Sequence, residues 1–198
     1  MHQTGILCAI GLLLVIGAGG AQAQVDCTTH PGNAVINCGF DTDLIYWAEL
    51  MADSLTHTSS DGDFAPGAAV MDALENGPSD FTARMWNSGL AGAPLADQFE
   101  AGVSARLTGG GSGGTQCRVT VFWMQSDGTI LDIDDGPWFS ITSTWSRWGW
   151  PFGDTPGGGL YSQFYIRCDD TVDFTVAVDD AVVADDWIPV ELQSFTVE

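Results

Sequence analysis

The stretch Cys117–Gln125, CRVTVFWMQ, has the pattern of a β-strand, in which successive side chains point to opposite faces. One face would carry the core-forming side chains Cys117, Val119, Val121 and Trp123. The other would carry Arg118, Thr120, Phe122 and Met124. This second set combines a cation, a hydroxyl group, an aromatic ring and a thioether, which is unusual both for a core and for a solvent face. We therefore interpret it as part of a ligand cleft.

The segment Leu160–Cys168 predicts a second strand with the same division. Its two faces would carry Ser162, Phe164, Ile166 and Cys168 on one side, and Tyr161, Gln163, Tyr165 and Arg167 on the other. If Cys168 is bonded to Cys117, the two cysteine-bearing faces coincide, and so do the two polar faces. Arg84, Trp86 and Arg106 fall on the polar faces of two further predicted strands. We therefore expect four of the five arginines to lie opposite the aliphatic core.

A strand face that combines rings with arginine, glutamine and threonine side chains is suited to binding a sugar. Ring faces pack on the C–H side of a pyranose, while planar amide and guanidinium groups bond its hydroxyl groups. The predicted ligand-binding residues are Arg84, Trp86, Arg118, Phe122, Tyr161, Gln163, Tyr165 and Arg167. In the alternative interpretation, the arginines pair with acidic residues and the rings only cover the sheet.

The rest of the chain indicates an all-β protein. The predicted strands are Ala34–Phe40, Val70–Leu74, Phe81–Asn87, Ala101–Leu107, Cys117–Gln125, Thr129–Ile133, Trp138–Trp148 (one strand or two), Leu160–Cys168 and Val172–Val183. Asp127-Gly128 is a hairpin signal between two of them. No segment has a sustained helical period, and Gly, Pro, Asp and Ser clusters separate the strands. This pattern predicts a two-sheet antiparallel β-sandwich or jelly roll.

The N-terminal sequence predicts export. Ile6–Ala18 is an apolar run of signal-peptide length, and Ala21-Gln22-Ala23 provides a small-residue cleavage site. We therefore expect a signal peptide over residues 1–23, one domain over 24–187 and a C-terminal tail over 188–198, in a protein secreted to an extracellular or periplasmic space. No other stretch is long and apolar enough to predict a membrane span.

Four cysteines remain after the predicted signal peptide, and an even count in an exported protein indicates disulfides. Three pairings are possible. We favour Cys27–Cys38 because it is local, together with Cys117–Cys168. The second bond would close a loop that is worth roughly 4 kcal/mol in the chain-entropy model.

The net charge of −21 reflects 26 acidic residues against five basic ones. Such a surface repels nucleic acids and anionic membranes, so neither is expected as a partner. All five basic residues are arginines, and lysine, the usual solubilising cation, is absent. We expect such scarce cations to have specific partners, which favours an acidic sugar such as a uronate.

Both ends of the predicted domain resemble a known family. Asn37–Trp47, NCGFDTDLIYW, resembles the opening of the jelly-roll carbohydrate-binding modules of families 4, 9 and 22, the CenC-like group, and Phe174–Val182, FTVAVDDAV, resembles their last strand. The resemblance implies a structural calcium ion bound through Asp41 and the Asp179/Asp180 pair, and it implies a core position for Trp47. Carboxylates are suitable calcium ligands, although adjacent strand residues point in opposite directions.

Other motifs are better explained without a site. The glycine-rich stretch Gly109–Gly114 matches hydrolase and dinucleotide-binding patterns, but those patterns require a following helix, and a strand is predicted here. His57 and the acids near it indicate a polar loop, and Asp132–Gly136 indicates an acidic turn. For Trp148 and Trp150 we favour packing over an exposed sugar-binding rim.

These observations predict a secreted, non-catalytic carbohydrate-binding module that holds a glycan on one sheet face. The alternative is a structural or adhesive surface protein with the same fold and no sugar site. Because no pair of acids stands out as catalytic, we do not expect an enzyme.

Overall fold

The structure is a computed structural model that describes residues 27–28, 33–63, 65–77, 80–87, 99–125, 127–152 and 161–184. The predicted signal peptide, the predicted C-terminal tail and the predicted loops 89–94 and 154–159 lie outside these residues. Within them, no helix is long and apolar enough to cross a membrane.

The described residues form eleven strands, and every pairing between them is antiparallel. The strands are Trp47–Glu49 (β1), Ala52–Thr58 (β2), Ala68–Gly77 (β3), Asp80–Asn87 (β4), Phe99–Gly110 (β5), Gln116–Met124 (β6), Ile130–Asp135 (β7), Phe139–Ser140 (β8), Ser146–Phe152 (β9), Tyr161–Asp170 (β10) and Phe174–Ala184 (β11). The prediction of an all-β architecture is confirmed.

The strands form a curled sheet whose two halves enclose one core. The half that we call the first sheet contains β1, β4, β6, β7, β8 and β10. The second sheet contains β2, β3, β5, β9 and β11. Strand β3 joins the halves, because its beginning pairs with β2 and β11 while its end pairs with β4. The arrangement is therefore a β-sandwich, as the sequence predicts.

The core is built from alternate residues of both sheets. On β6, the predicted core face is confirmed: Cys117, Val119, Val121 and Trp123 are each no more than 4% exposed. Phe164 and Ile166 on β10 join the same cluster, together with Val176 and Val178 on β11. The indole N–H of Trp123 donates a hydrogen bond to Asp134 over 2.6 Å, so this buried donor is satisfied.

Both favoured disulfides are present. Cys117 and Cys168 lie directly opposite each other on β6 and β10, with their Cα atoms 4.0 Å apart. Cys27 and Cys38 form the second bond, with Cα atoms 6.0 Å apart. Because the cysteines of β6 and β10 are in register, the polar residues of these strands also lie on one common face.

The prediction of a strand over Ala34–Phe40 is wrong. Residues 36–39 form a turn, and the φ angles of Asn37 and Phe40 are 54° and 50°, in the left-handed region that interrupts an extended chain. The apolar side chains still reach the core, and the ring of Phe40 lies 4.9 Å from that of Trp47. Trp47 is buried and donates its indole N–H to the carbonyl of Asn37, so its predicted core position is confirmed.

The sequence did not predict strand β2. Its residues, ADSLTHT, are half-buried or exposed without regular alternation, because β2 pairs on one side only, with β3. The tryptophan-rich segment Trp138–Trp148 contains β8 and the start of β9, so of the two alternatives the pair of strands is correct.

Candidate ligand-binding face

The outer face of the first sheet carries its polar side chains in rows that cross the strands. Arg84 on β4 is directly opposite Arg167 on β10, which is directly opposite Arg118 on β6. We call these three residues the arginine row. It arises because the polar positions of β4, β6 and β10 share one register, so three of the five arginines come together as the sequence predicts.

An aromatic row lies next to the arginine row. Trp86 on β4 is opposite Tyr165 on β10, and their rings are nearly parallel, with centroids 6.0 Å apart and planes at 17°. Phe122 on β6 extends this surface, with its centroid 4.6 Å from that of Tyr165. The Tyr165 hydroxyl donates to the side-chain oxygen of Gln163 over 2.6 Å, which orients both groups. All four side chains are half-buried, so each retains an accessible surface.

Tyr161 is the eighth predicted binding residue. Its backbone is opposite Met124 in the β10–β6 pairing, which puts it at the end of the same face. Its side chain lies outside the described part of the structure.

Two acidic residues neutralise only part of the arginine row. Arg167 pairs with Asp169 over 2.6 Å, and Arg118 pairs with Asp135 over 3.1 Å. Arg84 has no side-chain hydrogen bond or ion pair with any described residue. Burial lowers the pKa of the Arg84 guanidinium, the charges of Arg167 and Arg118 lower it further, and the nearby Asp169 carboxylate opposes them in part. Among the described residues, the row therefore has one more positive charge than its two ion-paired acids balance.

Trp138 supports the arginine row from the edge of the sheet. The guanidinium carbons of Arg118 and Arg167 lie 4.9 Å and 5.4 Å from the centroid of its ring, at cation–π distance. The sequence did not assign Trp138 to this face. It comes there because β8 pairs Phe139 with Cys117 on β6. That pairing spans a hairpin and an irregular connection, so no local pattern could have indicated it.

The two rows line one open groove with a volume of about 220 Å³. Its lining residues are Arg84, Arg118, Thr120, Phe122, Ile133, Asp135, Tyr165 and Arg167. Six of the eight predicted binding residues line the groove or stack on a ring that does. Ile133 and Asp135 on β7 were not predicted; they reach the groove because the hairpin places β7 beside β6.

The fourth arginine expected on this surface lies elsewhere. Arg106 is on β5, in the second sheet, where it pairs with Asp61 and lies 5.4 Å from the centroid of Trp145. Its strand position is polar, as predicted, but the polar faces of the two sheets point away from each other. Alternation within a strand does not reveal to which sheet that strand belongs.

Comparison with known proteins identifies the fold. No family model and no curated protein matches the chain. The CBM22-1 xylan-binding domain of Paenibacillus barcinonensis Xyn10C aligns with a TM-score of 0.54 and 12% identity, over 74% of this chain and 90% of that domain. TmCBM61, solved in complex with β-1,4-galactotriose, gives 0.54 and 12% over 78% of this chain and 99% of that one. The fold is that of a jelly-roll carbohydrate-binding module.

Longer proteins contain a similar module. The CBM22-1–GH10 modules of Clostridium thermocellum Xyn10B, complexed with xylohexaose, align with a TM-score of 0.59 and 13% identity over 79% of this chain. This chain spans 29% of that protein, and between 21% and 29% of the first three longer chains that match. At these identities the likeness concerns the fold, and it agrees with the family 22 resemblance of the sequence motifs.

The acidic pair that the resemblance assigns to calcium has protein partners. Asp179 and Asp180 lie at an irregularity of β11 and are 1% and 2% exposed. The Asp180 carboxylate accepts from Arg147 over 2.7 Å and from the backbone N–H of Cys27 over 3.2 Å. Asp179 accepts from the backbone N–H of Asp63 over 2.7 Å. Both buried carboxylates are thus satisfied by donors of the chain itself.

The third predicted calcium ligand, Asp41, is exposed. Within the described residues, no group of three Asp, Glu, His or Cys side chains is close enough together to hold a metal ion. Asp41, Asp179 and Asp180 do not form such a group. Calcium binding stays a prediction of the resemblance.

The glycine-rich stretch is followed by strand β6, as predicted, and its loop is held in place by hydrogen bonds. The buried Asp170 accepts hydrogen bonds from the backbone N–H and hydroxyl of Ser112, the hydroxyl of Thr115 and the backbone N–H of Thr171. Burial raises the pKa of Asp170, but these donors outweigh it and hold the pKa well below the usual range. Asp170 thus anchors the loop between β5 and β6.

A second cleft lies at the sheet edge beyond Trp138. It has a volume of about 640 Å³ and is mainly apolar. Trp148 and Trp150 line this cleft and are 36% and 47% exposed. The prediction that their rings are packed is therefore only partly confirmed. The Trp148 ring stacks on Phe139 with centroids 4.8 Å apart.

Proposed function

We propose that this protein binds a glycan in the groove formed by the arginine row and the aromatic row, as a secreted module without catalytic activity. The observation that carries the proposal is the side-by-side placement of the nearly parallel Trp86 and Tyr165 rings and a row of guanidinium groups. Rings of this kind pack on the C–H face of a pyranose, and guanidinium groups bond its oxygens. The fold supports the proposal, since the similar structures include modules solved with sugars.

The size of the groove indicates how a glycan would lie. Its volume of about 220 Å³ is below the roughly 300–1,000 Å³ of usual small-molecule pockets. The groove is open, so it would hold one or two sugar units while the rest of the chain extends along the sheet. Such a site suits an oligosaccharide or polysaccharide better than a free monosaccharide.

The carboxylates of the site favour binding over catalysis. Glycoside hydrolases place two carboxyl groups on either side of the scissile bond. Here Asp135 and Asp169 each bind an arginine, and Thr120 and Thr82 donate a second hydrogen bond to them. These contacts give both acids a positioning role, in which they hold the guanidinium groups against the sheet.

Binding can be tested with a glycan array that includes neutral and acidic polysaccharides, followed by calorimetry on each hit. We expect Trp86→Ala to weaken binding by about tenfold or more, because centrally placed aromatic residues dominate binding energy. The matched control is Trp150→Ala, which removes the same indole from outside the groove. Absence of binding to every glycan would overturn the proposal and favour the structural or adhesive alternative. Equal losses for the two variants would place the site elsewhere.

A further inference from the structure

The arginine row contains an arginine without a described acidic partner, although the protein as a whole is strongly acidic. The chain has 26 acidic residues and five arginines, so a carboxylate partner for each arginine would be easy to provide. Arg106 and Arg147 in the second sheet both have one, Asp61 and Asp180. Arg84 has none among the described residues, although it is half-buried.

The position of Arg84 adds to this imbalance. It is directly opposite Arg167, which is directly opposite Arg118, and like charges in such cross-strand positions repel each other. Burial and the charge of Arg167 lower the pKa of Arg84, and Arg118 adds to this while Asp169 opposes it, so the net effect at this position destabilises the charged form. A glutamine or threonine would fill the position without this penalty, and the local excess of positive charge therefore indicates an anionic ligand.

We propose that Arg84 binds the carboxylate of a uronate unit in the glycan, so that the site selects acidic over neutral glycans. This inference rests on the proposed function. A planar guanidinium group matches a carboxylate with two parallel hydrogen bonds, and the pairing is stronger in a partly desolvated site.

The spacing of the two rows suits this ligand. Residues two apart on one face of a strand are separated by roughly 7 Å, which is the distance between the positions of Arg84 and Trp86 along β4. A uronate ring that packs on Trp86 and Tyr165 would therefore carry its carboxylate towards Arg84. Arg167 and Arg118 are already bound by Asp169 and Asp135, which leaves Arg84 as the arginine of the row to bind the carboxylate.

The test compares glycans that differ only in charge. Calorimetry would measure binding of oligogalacturonates, oligomannuronates and oligoglucuronates, of the fully methyl-esterified form of each, and of a sulfated oligosaccharide. We expect at least one uronate to bind about tenfold or more tightly than its ester, and Arg84→Gln to remove that preference. Arg106→Gln, on the other sheet, is the matched control and should leave it intact. Higher salt should weaken binding of the uronate more than that of the ester.

The outcomes separate the two proposals. Equal binding of the uronate and its ester, unchanged by Arg84→Gln, would overturn the inference and leave glycan binding standing. Selective binding of the sulfated oligosaccharide alone would also overturn it, because the anion would then be a sulfate ester. If no glycan binds, charged or neutral, the proposed function fails and the inference fails with it. Circular dichroism and melting of Arg84→Gln confirm that the variant is folded.

Discussion

Arg147 in the second sheet and Arg84 in the first show two different uses of a scarce cation. Arg147 is 10% exposed and is bound to the buried Asp180, with Ser104 accepting a further hydrogen bond. Arg84 is half-buried beside two other arginines and has no acidic partner among the described residues. The comparison shows that the cation buried in the fold is neutralised by a buried carboxylate, whereas the groove contains a half-buried arginine with no ion pair among the described residues.

Removal of Arg147 should give the largest effect. Arg147→Met would leave the Asp180 carboxylate buried without its cation, which costs about 3–5 kcal/mol when one partner of a buried pair is lost. Urea unfolding at pH 7 measures the change. Adding Asp180→Asn to the same chain should recover part of the loss, since it removes the unpaired charge. A decrease in the free energy of unfolding below about 1 kcal/mol would mean that the Arg147–Asp180 pair contributes little to stability.

Asp170 is a third case, a buried carboxylate whose described hydrogen-bond donors are all neutral. Asp170→Asn should destabilise the protein by about 1.5–3 kcal/mol at pH 7, because charged acceptors make the stronger hydrogen bonds. The pKa of Asp170 is depressed in the folded state relative to about 3.9 in the unfolded state. Its contribution is therefore complete above about pH 5 and is lost progressively as the pH falls through the unfolded-state pKa towards the folded-state pKa. Unfolding free energies between pH 5 and 2 should decline less steeply in the variant than in the natural protein.

Arg84→Gln should leave stability almost unchanged, in contrast to Arg147→Met. It removes repulsion within the arginine row and breaks no described ion pair, so we expect a change within about 0.5 kcal/mol, or roughly 1–2 °C in Tm. Arg167→Gln breaks the pair with Asp169 and should cost up to about 1 kcal/mol. Differential scanning calorimetry of both variants provides the test. A loss of several kcal/mol for Arg84→Gln would contradict the division between the two kinds of arginine.

The smallest effect is expected from calcium. Asp180 already has Arg147 as its cation, so calcium added to the metal-free protein should change Tm by less than Arg84→Gln does. A Tm that does not respond to calcium or to a chelator would end the prediction that the family resemblance makes. A large rise would show that Asp41 or residues outside the described ranges complete a metal site.

The sequence predicted correctly that Arg84, Arg118 and Arg167 share one sheet face, because one rule connects these residues. Side chains alternate along β4, β6 and β10, and the Cys117–Cys168 bond aligns two of these strands, so Arg84, Arg118 and Arg167 could be assigned to a common surface. The rule is local and depends only on the period of a strand.

The rest depends on topology, which local patterns do not contain. Arg106 has the same polar position within its strand, yet β5 belongs to the second sheet. Trp138 reaches the arginine row only through the β8–β6 pairing, and Arg147 meets Asp180 only through the packing of β9 and β11 around β5. The turn at Asn37 was missed because its left-handed backbone interrupts a stretch whose composition is typical of a strand.

The Cys117–Cys168 disulfide has a consequence for the groove as well as for the core. It joins the two strands at the positions immediately before Arg118 and immediately after Arg167, on the opposite side of the sheet. A covalent bond therefore prevents β6 and β10 from sliding past each other, and it fixes the separation of two guanidinium groups that a ligand would meet. The buried disulfide thus reinforces the strand register on which the geometry of the exposed groove depends.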